Sequence, residues 1–106
     1  MNDQQRWLRV AALSDFSLNK PIVITAKGRA IAVYQLEDGF YAIEDSCSHQ
    51  GLPLSEGPCF DGQVECPFHG ARFCIKTGTV LAPPAFSDIE TFKTRLTPES
   101  MVEVYV

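Results

Sequence analysis

Apolar and polar positions alternate along this chain in short runs separated by Gly, Pro and acidic residues. Residues 6–13 alternate weakly and read as a first strand, and Asp15-Phe16-Ser17-Leu18 as a turn. Residues 21–25 are short and β-branched, with Pro21 at the start, where a missing N–H is tolerated. Residues 30–36 and 40–43 are apolar and flank Glu37-Asp38-Gly39, a hairpin signal in which Gly supplies the positive φ. From 46 to 57 the pattern becomes irregular, punctuated by Gly51, Pro53 and Gly57. Asp61-Gly62 marks a tight turn before a short strand at 63–66, and 67–70 is irregular again. Residues 73–75 and 79–81 flank Lys76-Thr77-Gly78 as a further hairpin, and Pro83-Pro84 breaks the sheet. Residues 91–96 and 101–106 close the chain as a hairpin around Pro98-Glu99-Ser100. No segment carries a helical period. Strand signals at such short spacing predict an all-β sandwich or barrel. No repeat, linker or low-complexity segment is evident.

Composition narrows the picture. With 106 residues, 45% of them hydrophobic, the chain fits one domain with one modest core. A net charge of −4 argues against a nucleic-acid partner. The charge is uneven: residues 30–71 contain no Lys or Arg but hold Glu37, Asp38, Glu44, Asp45, Glu56, Asp61 and Glu65. That region is either an acidic solvated surface or a docking field for a basic partner. The polar start of the chain, Met1-Asn2-Asp3-Gln4-Gln5-Arg6, does not read as a signal peptide, and no apolar run is long enough for a membrane helix. No membrane association is expected. The expected location is the cytoplasm, where free thiols are the default.

The chemistry concentrates in two matched stretches. One is Cys47-Ser48-His49; sixteen residues later comes Cys66-Pro67-Phe68-His69. A Cys with a His two or three residues on can close a small chelate on one metal from a tight turn, so two such turns supply four ligands. A zinc finger usually places its Cys pair first and its His pair second, whereas here each half is Cys-then-His. A structural zinc module stays an alternative that colour would separate, since zinc proteins are colourless. Cys59 and Cys74 remain, either as unpaired thiols or as partners of each other. Trp7 reads as packing in the base or as a cofactor contact.

At these residues the chain resembles the Rieske iron–sulfur family, whose pattern is C-x-H, about sixteen residues, then C-P-x-H-G. Gly51, Leu54-Ser55-Glu56-Gly57, Phe73-Cys74, Thr77-Gly78 and Ala82-Pro83-Pro84 extend the likeness, which is to small Rieske ferredoxins of bacterial aromatic-ring dioxygenases. The resemblance implies a base of residues 1–45 and 85–106, with a cluster-binding β subdomain, 46–84, inserted into it. It implies one [2Fe–2S] cluster, with Cys47 and Cys66 on one iron and His49 and His69 on the other. It places the two His near the surface as the exit for the electron. It also gives the proline loop at 83–84 a place over the cluster. Gly51 and Gly70 either bring backbone N–H groups close to cluster sulfurs or only permit turns.

Two departures from the respiratory members of that family carry expectations. Leu52 and Phe68 stand where those members have a disulfide, and Ala71 and Phe73 stand where they have a hydroxyl pair that hydrogen-bonds the cluster. Without those donors the potential should lie near the low end of the Rieske range. Two neutral imidazoles in place of thiolates also remove negative charge and ease reduction. With two His in all, both in the motif, no facial triad of an oxygenase can be built. The resemblance therefore implies an electron carrier, not an enzyme. It implies as partners a flavin-containing, NADH-dependent ferredoxin reductase and a terminal Rieske oxygenase, in systems acting on substrates such as biphenyl, naphthalene or carbazole. The alternative is the small Rieske subunit of an assimilatory reductase such as nitrite reductase.

Overall fold

A computed structural model describes residues 6–48, 51–68, 70–85 and 87–106. The strands, in order, are β1 (Trp7–Ala12), β2 (Ile22–Ala26), β3 (Arg29–Leu36), β4 (Gly39–Glu44), β5 (Cys59–Phe60), β6 (Gln63–Glu65), β7 (Arg72–Cys74), β8 (Val80–Ala82), β9 (Thr91–Phe92), β10 (Thr94–Leu96) and β11 (Met101–Tyr105). Among the described residues they form three sheets, ordered β1-β11-β10, β2-β3-β4-β9 and β5-β6-β7-β8, and the pairings between these strands are antiparallel.

β3 explains the layering. Its residues read as an almost unbroken apolar run because both of its faces are covered. Successive side chains of a strand point to opposite faces. Ile31 and Val33 face one core with Ala42, Val102 and Val104, between the β2-β3-β4-β9 sheet and the β1-β11-β10 sheet. Ala32, Tyr34 and Leu36 face the other core with Ile43, Leu54, Val64, Phe73 and Ile75, against the β5–β8 sheet. The middle sheet is thus sandwiched, and Cys47 and Cys66 belong to the second core.

Turn chemistry sets the registers. Lys27 (φ 54°) and Gly28 (φ 76°) join β2 to β3, and Asp61 (φ 52°) and Gly62 (φ 72°) join β5 to β6. Two central residues with positive φ make the hairpin turn whose twist matches its strands.

Three expectations change. Residues 91–96 are not one strand: β9 joins β4, and β10 joins β11. The chain switches sheets at Lys93, whose carbonyl accepts the Tyr105 N–H at 2.9 Å; strands that pass between layers make the corners of packed sheets. Cys59–Phe60, unmarked in the apolar pattern, pairs with β6. Leu54–Glu56 forms a short 3-10 turn, and its Leu54 is fully buried. Trp7 packs against other side chains, tilted against Tyr105 at 5.1 Å with Arg95 over its ring at 4.2 Å.

Candidate metal centre

Two loops, one between β4 and β5 and one joining β6 to β7, are built alike. Where β4 ends, the Asp45 N–H donates to the Ala30 carbonyl at 2.9 Å. The Asp45 side chain, buried, accepts from the Ser55 N–H at 2.7 Å and the Ser55 hydroxyl at 2.6 Å. This clamp ties the end of β4 to Ser55. Between them the Cys47 N–H donates to Leu52 O at 2.8 Å, and the Gly51 N–H donates to Cys47 O at 2.6 Å. The second loop repeats the frame: Cys66 N–H to Ala71 O at 2.7 Å, and Gly70 N–H to Cys66 O at 3.0 Å. Gly51 and Gly70 both have positive φ, 75° and 78°, so each permits the turn and spends its N–H in closing it.

A third loop has the same frame and was not foreseen. Cys74 N–H donates to Thr79 O at 2.8 Å, and Gly78 N–H (φ 77°) donates to Cys74 O at 2.7 Å. The sequence signal is Cys-x-x-x-Gly, which occurs at 47, 66 and 74. The repeat lies in the glycines that set the backbone, not in the side chains suited to metals, and the third copy has no His.

Cys47 and Cys66 are each 1% exposed, in one apolar cluster, and neither is in a disulfide. Cys59 and Cys74 are also free of disulfides. Their strands lie two apart, and register puts Cys59 in the row of Val64 and Phe73 but Cys74 in the row of Gln63 and Phe60, on the opposite face. Burial pushes the Cys59 thiol up. Burial also raises Cys74, but hydrogen bonds from the Thr77 hydroxyl and the Thr77 and Lys76 N–H groups, with the Lys76 charge, outweigh it and hold that thiol below its ordinary value. His49 and His69, the imidazole half of the expected ligand set, lie outside the described residues.

The two loops are joined at Gly57. Its N–H closes the 3-10 turn on Leu54 O at 2.9 Å. A Cβ there would fall inside contact distance of Glu65 O and 2.9 Å from Pro67 Cδ. The first loop therefore rests on the backbone leading into Cys66 with no room for a side chain.

The acidic region is less of a field than its composition promised. Glu44 lies 3.6 Å from the Arg29 guanidinium, which also bonds Glu90 at 2.7 Å. Glu65 meets Arg72 at 4.0 Å. Asp45 is buried and faces Ser55 rather than solvent. Glu56 and Asp61 remain exposed.

Residues 6–93 match the Rieske [2Fe-2S] domain. The chain belongs to the Rieske [2Fe–2S] domain family. This Rieske chain is 38% identical over 103 residues to ferredoxin CarAc of Metapseudomonas resinovorans, covering 96% of the chain and 94% of that protein. It is 31% identical over 91 residues to the ferredoxin component of the naphthalene 1,2-dioxygenase system of Pseudomonas putida, covering 86% and 88%. In structure it is similar to a chain solved in the complex of reduced oxygenase and oxidised ferredoxin in carbazole 1,9a-dioxygenase, with a TM-score of 0.87, 36% identity and coverage of 92% and 91%. A nitrite reductase small subunit from Mycobacterium tuberculosis, 22% identical with a TM-score of 0.85, shares the fold alone. The relatives are ferredoxin components, and this Rieske chain is of the same kind, an electron carrier and not a catalyst. No helix among the described residues is long and apolar enough to cross a membrane.

The group such a domain holds is a Rieske-type [2Fe–2S] cluster. The described residues fit it. Soft thiol donors suit iron–sulfur chemistry, and here two buried thiols head two loops of one backbone frame that meet at Gly57.

Proposed function

We propose that this ferredoxin takes single electrons from a flavin-containing, NADH-dependent reductase and passes them to a terminal Rieske oxygenase of an aromatic-ring-hydroxylating system, in the cytoplasm. The observation that carries the reading is the likeness, across nearly the whole chain, to ferredoxins of such systems, one solved in the complex with its oxygenase. In this reading Cys47 and Cys66 hold one iron and His49 and His69 the other. Residues 46–84 are the cluster-holding unit, and residues 1–45 and 85–106 its base. The bound cluster supplies reversible one-electron chemistry.

In this reading the chain's own residues keep water from the thiol side and offer the partner an apolar tip. Leu54, Val64, Phe73 and Ile75, all fully buried, pack around the two Cys. Phe68 and Leu81 are large apolar side chains left about half exposed, at 48% and 50%. Leu52 and Pro53 are half-buried on the first loop, and Pro83 is exposed beside the half-buried Pro84. A small apolar patch with a charged rim suits a weak, fast electron-transfer encounter. The test is reconstitution: the reduced protein is mixed with terminal oxygenases for biphenyl, naphthalene and carbazole, following reoxidation and hydroxylated product. Reoxidation with product is the expected result. Reoxidation by a nitrite reductase but by none of these oxygenases would overturn the reading.

A further inference from the structure

Most carboxylates around the two Cys loops are exposed or matched by arginine. Asp45 is neither. It is 8% exposed, and both of its oxygens are held by one neutral residue, Ser55, through N–H and hydroxyl. Among the described residues it makes no ion pair, while its neighbour Glu44 is served by Arg29 and Glu65 by Arg72. The field of a carboxylate set in protein reaches further than that of one set in water.

Asp45 is also close to the centre by covalent reach. It lies two residues before Cys47, which limits the Cα–Cα separation to about 7 Å. The Ser55 clamp turns this short tether into a fixed arrangement: one residue anchors the loop and places a negative charge beside it. Most residues near the thiols are apolar, so nothing else described there carries a charge of comparable burial.

We infer that Asp45 is a positioning and electrostatic residue of the ferredoxin: its buried, arginine-free carboxylate opposes addition of the electron and holds the reduction potential low. The inference rests on Cys47 being a cluster ligand. The opposition does not come from loop geometry, so a variant that keeps the charge and loosens the clamp must behave differently from one that removes the charge.

The test is protein-film voltammetry on wild type, Asp45→Asn and Ser55→Ala, each first checked for iron content and for an EPR signal on reduction. Asp45→Asn keeps an acceptor for the Ser55 N–H and removes the charge. It should shift the reduction equilibrium about tenfold toward the reduced form, about 59 mV for a one-electron couple. Ser55→Ala keeps the charge and should leave the equilibrium within threefold of wild type or shift it toward the oxidised form. An Asp45→Asn midpoint within threefold of wild type overturns the inference, as does an upward shift in Ser55→Ala equal to that of Asp45→Asn. If Asp45→Asn does not load, the wild-type midpoint between low salt and about 1 M salt decides, because salt screens exposed charges far more than buried ones. A change below tenfold supports Asp45. A rise of tenfold or more shows that surface acids hold the midpoint down and overturns it. Wild-type protein with iron but no EPR signal on reduction would instead sink the ligand reading.

Discussion

Replacing Gly57 by Ala tests whether the two cysteine loops are one mechanical unit. Gly57 has φ −98°, which any residue can adopt, so the backbone itself would not resist alanine. The obstacle is the new methyl. It would sit inside contact distance of Glu65 O, 2.9 Å from Pro67 Cδ and 3.0 Å from the Glu65 carbonyl carbon. Carbon and its neighbours pack best at about 3.5 Å or more, so the two loops must part by about 1.5 Å or more. Glu65 cannot simply rotate away. Its N–H is bonded to Pro58 O at 3.0 Å, and Cys66 N–H to Ala71 O at 2.7 Å. Overpacking of this kind costs about 1–3 kcal/mol. For a domain near this size that is roughly 5–20 °C in Tm. Metal sites tolerate about 0.5 Å of displacement, so the shift should also cost iron. Gly62→Ala is the control. Gly62 has φ 72° but open space around its Cβ position, so it carries only the backbone penalty, about 1 kcal/mol. Circular dichroism melts and iron-to-protein ratios on the two variants decide it. If Gly57→Ala keeps its iron and melts no lower than Gly62→Ala, the loops are not coupled at this joint.

Other outcomes follow from the same geometry. Ala71 and Phe73 are fully buried in the core that contains Cys47 and Cys66, so Ala71→Ser with Phe73→Tyr should place two hydroxyls there. If each bond favours the reduced form by about 1–1.5 kcal/mol, the double variant should gain on the order of 100 mV by voltammetry, and no gain would show that neither hydroxyl reaches a sulfur. Charge reversal at the exposed pair Glu56 and Asp61 should slow electron delivery to the oxygenase more at low salt than at high salt, whereas equal slowing at both would remove them from docking. Cys74 is held below the ordinary thiol value and Cys59 above it, so as pH rises Cys74 becomes thiolate first and should be alkylated first. Thr77→Val should slow it, and mass spectrometry that finds Cys59 modified before Cys74 would contradict the assignment.

The ligand spacing and the sheet-forming runs were legible because they are local. A Cys and a His two or three residues apart announce themselves, and so does the Asp61-Gly62 turn, whose two positive φ values suit those residue types. What was hidden depends on which layer a residue meets. Nothing in Thr91, Phe92 and Thr94 tells that the chain changes sheets at Lys93. Asp45 reads as one more surface acid until Ser55 is seen on both of its oxygens. The pairing of Glu44 and Glu65 with Arg29 and Arg72 was hidden because both arginines lie just outside the acidic stretch that composition had marked off. The third Cys-x-x-x-Gly loop was visible in the letters but has no His to draw attention to it.

The central claim is that two cysteines and two imidazoles share one cluster, and nitrogen labelling tests it most directly. The chain has two His and four Cys in all, so cysteine-only ligation is chemically open and any imidazole coupling can come from His49 and His69 alone. Protein made with 15N-histidine, reduced and studied by pulsed EPR, should show couplings from two ring nitrogens that change with the isotope. A reduced-cluster signal unaffected by labelling would mean that sulfur alone holds the iron, and the assignment of both histidines would be wrong.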